Sequence, residues 1–367
     1  MKVLKHEIKD FRNIGNICFE PDEGINVIYG ENGQGKTNII ESIWLFTGCN
    51  SFRTRKNSEL ISHGKKEADV DMSFFAFDRE QEVSLKIAEN KEVKINGIKK
   101  DSHRRLLGEF QAVVFSPSVL SVIKDGPGEK RKFIDIALSL LKPNYAAMLS
   151  KYNKTIIQRN ALLKKISEKS AKSDLLFAFD YQAADLGGRI IDYRLKYIEE
   201  LKKYTEDIYA GISHGSEKFS LSYINSVKDE ANNSQGWSEL LYDALIKNRD
   251  RDILRCQTCT GPHKDDLDIL LSGKSARAFG SQGQQRSCAL ALKIAEGFII
   301  KDYSGEKPVA LLDDVLSELD SKRQVDLIKY LDGWQVFITC CDKAHVSKID
   351  YGKAFEIKSG TLSVMRG

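Results

Sequence analysis

The stretch Gly30-Glu31-Asn32-Gly33-Gln34-Gly35-Lys36-Thr37 fits G-x-x-x-x-G-K-[S/T], and no other feature restricts this chain so tightly. Before it, Gly24-Ile25-Asn26-Val27-Ile28-Tyr29 reads as a buried strand. After it, Ile39, Ile40, Ile43, Trp44 and Phe46 recur at helical spacing, so a helix starts at the loop and ends near Gly48. The glycines let backbone N–H groups turn inward around a polyphosphate without Cβ clashes. The helix N-terminus, running through Thr37 and Asn38, adds partial positive charge. Lys36 is placed to reach the β and γ phosphates of ATP, and the Thr37 hydroxyl to ligate Mg²⁺. With strand, loop, Lys-Thr and helix all in order, a glycine-rich turn that binds nothing is the poorer account.

A chain of 367 residues suggests about two domains. Its 41% hydrophobic content can fill a sizeable core. Charged residues make up 29% of the chain, yet the net charge is only +4. That excludes a wholly basic nucleic-acid binder; an anion-binding surface has to come from local clustering. Met1 to Asp10 carries charges throughout, unlike a signal peptide. No apolar run approaches the ~20 residues of a membrane span. Seven irregularly spaced cysteines argue for reduced thiols. The expectation is a soluble, cytoplasmic protein with no membrane partner.

Along the chain, residues 2–9 and 17–20 read as paired strands with Asp10-Phe11-Arg12-Asn13 between them. An arginine there could reach a bound phosphate, though the local pattern alone favours a solvated turn. Residues 68–77 and 81–88 alternate as strands do, and Asn96-Gly97 signals a hairpin. Residues 112–115 form a further strand, followed by Ser116-Pro117 as a helix start. From about 129 to 212 the pattern is helical: one helix from Lys130, a long one from Pro143, and a third from about Ser173 that is interrupted or kinked near Gly187-Gly188. A helix of ~35 residues spans roughly 50 Å. Residues 267–271 and 276–279 flank Ser272-Gly273-Lys274 as a strand hairpin, and a helix follows over 282–300. The expected fold is α/β: a P-loop head with a mixed sheet and helices, plus an inserted all-helical arm. The head takes residues 1–124 and 254–367, and the mostly helical arm 125–253.

A P-loop needs a distant acidic partner for Mg²⁺, and Val309-Ala310-Leu311-Leu312-Asp313 has the form of an apolar strand ending in one. Asp313 is expected at the ion. Asp314 is placed to orient or deprotonate the attacking water, making Asp314 and Lys36 the catalytic candidates. Ser281-Gln282-Gly283-Gln284 opens a helix, and its hydroxyl and free N–H groups can form a second anion site. Taken alone, it is equally an ordinary helix cap. One ATP cannot easily face two helix N-termini of one monomer. The economical arrangement is therefore a head-to-tail dimer with ATP between P-loop and signature. Ser317 to Asp320 would form the loop crossing that interface.

Phe11-Arg12-Asn13, Gly30 to Thr37, Ser281 to Arg286 and Leu311 to Asp320 together resemble the RecF family of bacterial recombination-repair ATPases. Ser51-Phe52-Arg53, Val114 to Pro117 and Gly261 to Asp266 are also similar to its segments. The likeness covers essentially the whole chain, most weakly in the helical middle. It implies an ABC-type head like that of SMC proteins without the long coiled coil. It implies ATP-driven homodimerisation, binding to gapped or junction DNA, and, with RecR and RecO, placement of RecA. Slow, DNA-stimulated hydrolysis would release the clamp. The resemblance makes Arg12 and Asn13 nucleotide contacts, reversing the local preference for a solvated turn. Departures from general ABC ATPases are an aspartate, Asp314, in place of the usual glutamate, and Thr339-Cys340-Cys341-Asp342 where a switch histidine is usual. His345 lies several residues further on, and Gln111 precedes its strand, which leaves the Q-loop role open.

Candidate DNA contacts are Arg53, Arg55 and Lys56; Lys99, Lys100, Arg104 and Arg105; and Lys130, Arg131 and Lys132. Each cluster is more often a solvated face. No base-reading motif is present, so backbone and shape recognition is expected. Cys256-x-x-Cys259, with His263 near, lacks an obvious fourth ligand, so a metal site is the poorer account and the role of this pair stays open; the other cysteines read as packing residues. The competing functions are the nucleotide-binding subunit of an ABC transporter and a small-molecule P-loop kinase.

Overall fold

Alternation builds the first strand pair. In β1 (Lys2–Phe11), Val3, Ile8 and Phe11 are buried while Lys5 and Lys9 face out. β2 (Ile14–Phe19) returns antiparallel with Ile17 opposite Ile8. These elements belong to a computed structural model that describes residues 1–227, 236–341 and 349–365. β3 (Ile25–Tyr29) has an apolar centre buried on both faces, as parallel strands usually are. It leads through the P-loop into α1 (Lys36–Leu45). β4 (Ala68–Ala76), β5 (Arg79–Ile87), β6 (Lys91–Ile95) and β7 (Ile98–Lys100) then form a meander. Asn96 and Gly97 take φ of 50° and 77°, the two left-handed residues that a two-residue hairpin requires. β8 (Ala112–Phe115) follows.

The helical stretch comprises α2 (Ser121–Lys124), α3 (Pro127–Leu141), α4 (Pro143–Ser167) and α5 (Leu176–Ser213). β9 (Phe219–Ile224), α6 (Trp237–Lys247), α7 (Arg249–Arg255), β10 (Asp266–Leu271), β11 (Lys274–Ser275) and α8 (Ala276–Phe279) come next. The chain continues with α9 (Gln282–Ser304), β12 (Val309–Asp313), α10 (Ser321–Tyr330), β13 (Val336–Cys340), β14 (Lys353–Lys358) and β15 (Thr361–Met365).

The chain divides into two compact units. The first comprises residues 1–120, 211–215 and 286–367; the second comprises 121–210 and 216–285. The first holds two six-stranded sheets. One is antiparallel, in the order β2-β1-β4-β5-β6-β7. The other, β15-β14-β3-β13-β12-β8, is parallel except for the edge strand β15. α1 packs against strands of both sheets, and Ile39, Ile40, Ile43 and Trp44 are all buried. Being covered from two sides, α1 buries polar Lys36, Asn38, Glu41 and Ser42 as well. His6 adds edge-on ring contacts with Phe19 and Phe46, and Phe19 with Phe355.

The second unit carries the inserted helices together with a three-stranded antiparallel sheet, β11-β10-β9. β9 pairs with β10 across more than forty residues of sequence, Phe219 opposite Leu271. That pairing draws residues 254–285 to the helices, whereas the expected head resumes at 254. Two local expectations are corrected. Ala276–Phe279 is a helical turn, not the second hairpin strand, which ends at Ser275. α5 runs unbroken through Gly187-Gly188 for 38 residues. There the glycines serve close packing: a Cβ on Gly187 would lie 2.4 Å from Leu241, and one on Gly188 2.3 Å from the Ser238 backbone nitrogen.

Candidate nucleotide-binding site

β3, β13 and β12 lie side by side and parallel, so their carboxyl ends open onto one edge of the sheet. Open α/β sheets take ligands at that edge. The P-loop follows β3, Asp313 ends β12, and Thr339 lies opposite Asp313 on β13. Gly30 has φ 155°, and a Cβ there would meet the Ile357 carbonyl at 2.3 Å. Gly35 has φ 118°, with Asn13 Oδ1 at 2.9 Å from such a Cβ. Neither position accepts an L side chain without displacing its neighbours.

Lys36 is 4% exposed and folds back into the arch of the loop. Its Nζ donates to the carbonyls of Gly30 (2.7 Å) and Glu31 (3.1 Å), and to Cys341 Sγ at 3.7 Å. Thr37 Oγ1 donates to Asp313 Oδ1 at 2.8 Å, and Thr339 Oγ1 donates to the same oxygen at 2.9 Å. Burial raises the Asp313 carboxyl above the usual aspartate range; the two hydroxyl bonds oppose this, and neighbouring Asp314 adds to it. Asp314 sits at φ 52°, a left-handed conformation that aspartate tolerates. Its backbone N–H donates to Thr339 Oγ1 at 2.9 Å, and its Oδ1 is buried with no hydrogen-bond partner.

Arg12 is not in a solvated turn. At φ 55° it pairs two-pronged with Glu41, from Nε (3.0 Å) and Nη2 (2.8 Å). Arg53 reaches the same carboxylate at 3.3 Å and Asn38 Oδ1 at 2.7 Å, and the Ser51 hydroxyl also donates to Glu41. Asn13 donates to the Gly33 carbonyl at 2.7 Å and accepts from Asn38 at 2.6 Å, latching the loop to the β1–β2 turn. Gln34 accepts from the Ser359 N–H in the β14–β15 turn. Arg12, Asn13, Asn32, Gly33, Gly35 to Asn38, Arg53 and Asp314 line one open cleft of about 490 Å³. Ligand clefts commonly hold about 300–1,000 Å³. Glu41 and Thr339 were absent from the sequence-based site. No local signal marks Glu41, whose arginine partners come from separate segments.

The oxygens of Thr37 and Asp313, with the orphaned Asp314 oxygen, are hard donors that suit Mg²⁺. Among the described residues no three His, Cys, Asp or Glu converge as a metal-ligand group. Cys256 and Cys259 hydrogen-bond the carbonyls of Ile253 and Gln257.

Ser281-Gln282-Gly283-Gln284 forms a capping box at the start of α9. Gln284 N–H donates to Ser281 Oγ at 3.2 Å, and Ser281 N–H donates to Gln284 Oε1 at 2.6 Å. The segment lies in the second unit and the P-loop in the first. Gln111 stands at the amino end of β8, the end remote from Asp313 in the parallel register, so it is no Q-loop residue. Asp342 and His345 lie outside the described residues.

The basic clusters separate. Arg53 joins the cleft. Lys130 is buried, donates to the Leu267 carbonyl at 2.6 Å and pairs with Asp266 at 3.2 Å. Arg131 donates to the Asp265 carbonyl at 2.7 Å, and Lys132 pairs with Glu129. Lys130 and Arg131 are thus spent on holding the start of β10, and burial removes Lys130 as a DNA contact. Arg105 pairs with Asp101, Lys99 with Glu92 and Lys56 with Glu59 at 3.8 Å, and Arg55, Lys56 and Arg104 are exposed.

The family described as RecF/RecN/SMC N terminal domain matches residues 2–361. "DNA replication and repair protein RecF" of Acetivibrio thermocellus is 40% identical over 355 residues, 96% of each chain. Its namesake in Agathobacter rectalis is 38% identical over 369 residues, 100% of this chain and 99% of the relative. A solved structure of "the recombination mediator protein RecF-ATP in RecFOR pathway" superposes with a TM-score of 0.92 at 38% identity, covering 100% of this chain and 98% of that one. An Smc head bound to the C-winged helix domain of ScpA, at TM-score 0.58 and 18% identity over 100% of this chain and 97% of that one, shares the fold. The P-loop edge, its acidic strand and the helical insertion are those of an ABC-type head, and the chain belongs to the RecF/RecN/SMC N terminal domain family, among its RecF proteins.

Proposed function

We propose that this protein is a DNA replication and repair ATPase that closes as a dimer around ATP·Mg²⁺ and opens on slow hydrolysis. The observation that carries the reading is the meeting of Thr37 and Asp313 across 276 residues at the mouth of the P-loop. In the proposed cycle the inward-turned N–H groups and Lys36 neutralise the phosphates, and Arg12 and Arg53, held by Glu41, present further positive charge. Mg²⁺, held by Thr37 and Asp313, would polarise the γ-phosphate. Asp314 Oδ1, the buried acceptor without a partner, takes the proton from the water that attacks the γ-phosphorus as the bond to ADP breaks. Its short side chain is consistent with a timer rather than a motor. Ser281 to Gln284 of a second copy would complete the site.

The dimer would bind gapped or junction DNA through backbone contacts from exposed Arg55, Lys56 and Arg104. RecR and RecO are the proposed partners in placing RecA; the relative solved with ATP is described in the RecFOR pathway. Near-full-length identity to RecF proteins sets aside the transporter and kinase readings. No helix among the described residues is long and apolar enough to cross a membrane. The test is Asp314→Asn. It should bind ATP as the wild type does while losing hydrolysis by about 100-fold, the usual weight of a general base. Wild-type turnover by that variant would remove Asp314 from the chemistry.

A further inference from the structure

The signature segment is held from its flank by a carboxylate with no part in the ATP chemistry. The Gln284 amide is used at both ends: Oε1 accepts the Ser281 N–H at 2.6 Å, and Nε2 donates to Glu217 Oε1. The other oxygen of Glu217 accepts from the Tyr209 hydroxyl of α5 at 2.8 Å. A carboxylate only accepts and an N–H only donates, so the orientation of the amide is forced. A continuous hydrogen-bond chain therefore runs from Tyr209 through Glu217 and Gln284 to the Ser281 backbone.

The fold puts Glu217 there by strand register. Phe219 lies opposite Leu271, and the Ser272 N–H donates to the Lys218 carbonyl at 2.7 Å, so residue 217 projects just beyond the sheet. The same sheet leads through β11 and α8 into the signature. Gln285 fixes the other side of the loop: its Nε2 donates to the carbonyls of Ala276 (3.1 Å) and Arg277 (3.2 Å). Gln285 thus ties the loop to α8, whereas Glu217 ties its nucleotide-facing cap to the long arm helix.

We propose that Glu217 is a positioning residue for the trans-acting signature, fixing Ser281 and Gln284 for ATP and linking their geometry to α5. This rests on the reading of Ser281 to Gln284 as contacts to ATP bound by a second copy. A change in α5, such as one imposed by a ligand of the arm, would then reach the signature through Tyr209 and Glu217.

The experiment measures ATP affinity, ATP-dependent association and melting temperature for the full-length protein. Glu217→Ala should bind ATP and melt as the wild type does, with association weakened about 10-fold by loss of a charge-assisted bond. Glu217→Gln keeps an acceptor for Gln284 and a group to pair with Tyr209, and should restore association. Tyr209→Phe, which removes one hydroxyl, should weaken association about 3-fold and decides the matter if Glu217→Ala does not fold. Ser281→Arg is the control and should abolish association. Wild-type association by Glu217→Ala or Tyr209→Phe, with Ser281→Arg monomeric, would overturn the role of Glu217 alone. Normal association by Ser281→Arg would overturn the sandwich reading itself.

Discussion

Glu41 is fully buried, and its two oxygens serve Arg12, Arg53 and Ser51 together. Replacing it with Gln leaves two guanidinium groups beside a neutral amide. Removing one partner of a buried ion pair costs about 3–5 kcal/mol, and a loss near the lower end is expected because Arg53 is partly exposed. Chemical denaturation of Glu41→Gln should show that loss, with weaker ATP binding beside it; unchanged values for both would contradict the assignment. Lys36 and Thr37 were legible because their spacing is covalent, and Asp313 because an acid ending an apolar strand has few other reasons to be there. Glu41 was not legible. A glutamate in a helix ordinarily faces water, and its two arginines arrive from separate segments whose pairing no single sequence states. Arg53 and Lys130 show the reverse failure: local charge density suggested a surface, and folding turned one into the cleft and the other into the interior.

The P-loop helix, the meander and the acidic strand follow from periodicity and end signals, so their existence was readable to within a few residues. Gly187-Gly188 was misread because glycine has two uses, loosening a helix or admitting a close neighbour, and only packing chooses between them. In α5 packing chose the second. Gly188→Ala would ordinarily favour a helix by about 0.5–1 kcal/mol. Here the added methyl would meet the Ser238 backbone at 2.3–2.5 Å. The overpacking should instead destabilise the protein by about 1–3 kcal/mol. A Gly188→Ala variant that is more stable than the wild type in denaturant titration would contradict the packing of α6 on α5. The short helix α8 was misread as a strand for a similar reason. Four residues carry too little periodicity to separate the two.

Among the described residues, burial pushes three histidines down, His6 to about 3 and His103 and His263 to about 4, with neighbouring positive charge contributing at His103 and His263. Above the ordinary value of 6.5 they are neutral folded and unfolded, and their contribution to stability is fully present. As the pH falls below 6.5 the unfolded chain takes up protons that the fold refuses until about pH 4 or below. Each histidine then removes up to about 1.36 kcal/mol per pH unit. The denaturation midpoint should fall clearly between pH 7.5 and 5; a flat profile would contradict the burial of these rings. The division into units was only partly legible, because the β9–β10 pairing that draws residues 254–285 to the helices is long-range. The proposed dimer brings the P-loop of one copy to the signature of another, with ATP between them. Its most direct test is the solution mass of the full-length protein without nucleotide and with ATP·Mg²⁺, repeated with gapped duplex DNA. A monomer that becomes a dimer with ATP and binds the DNA in that form is expected. A monomer under every condition, with no DNA binding at moderate salt, would contradict it.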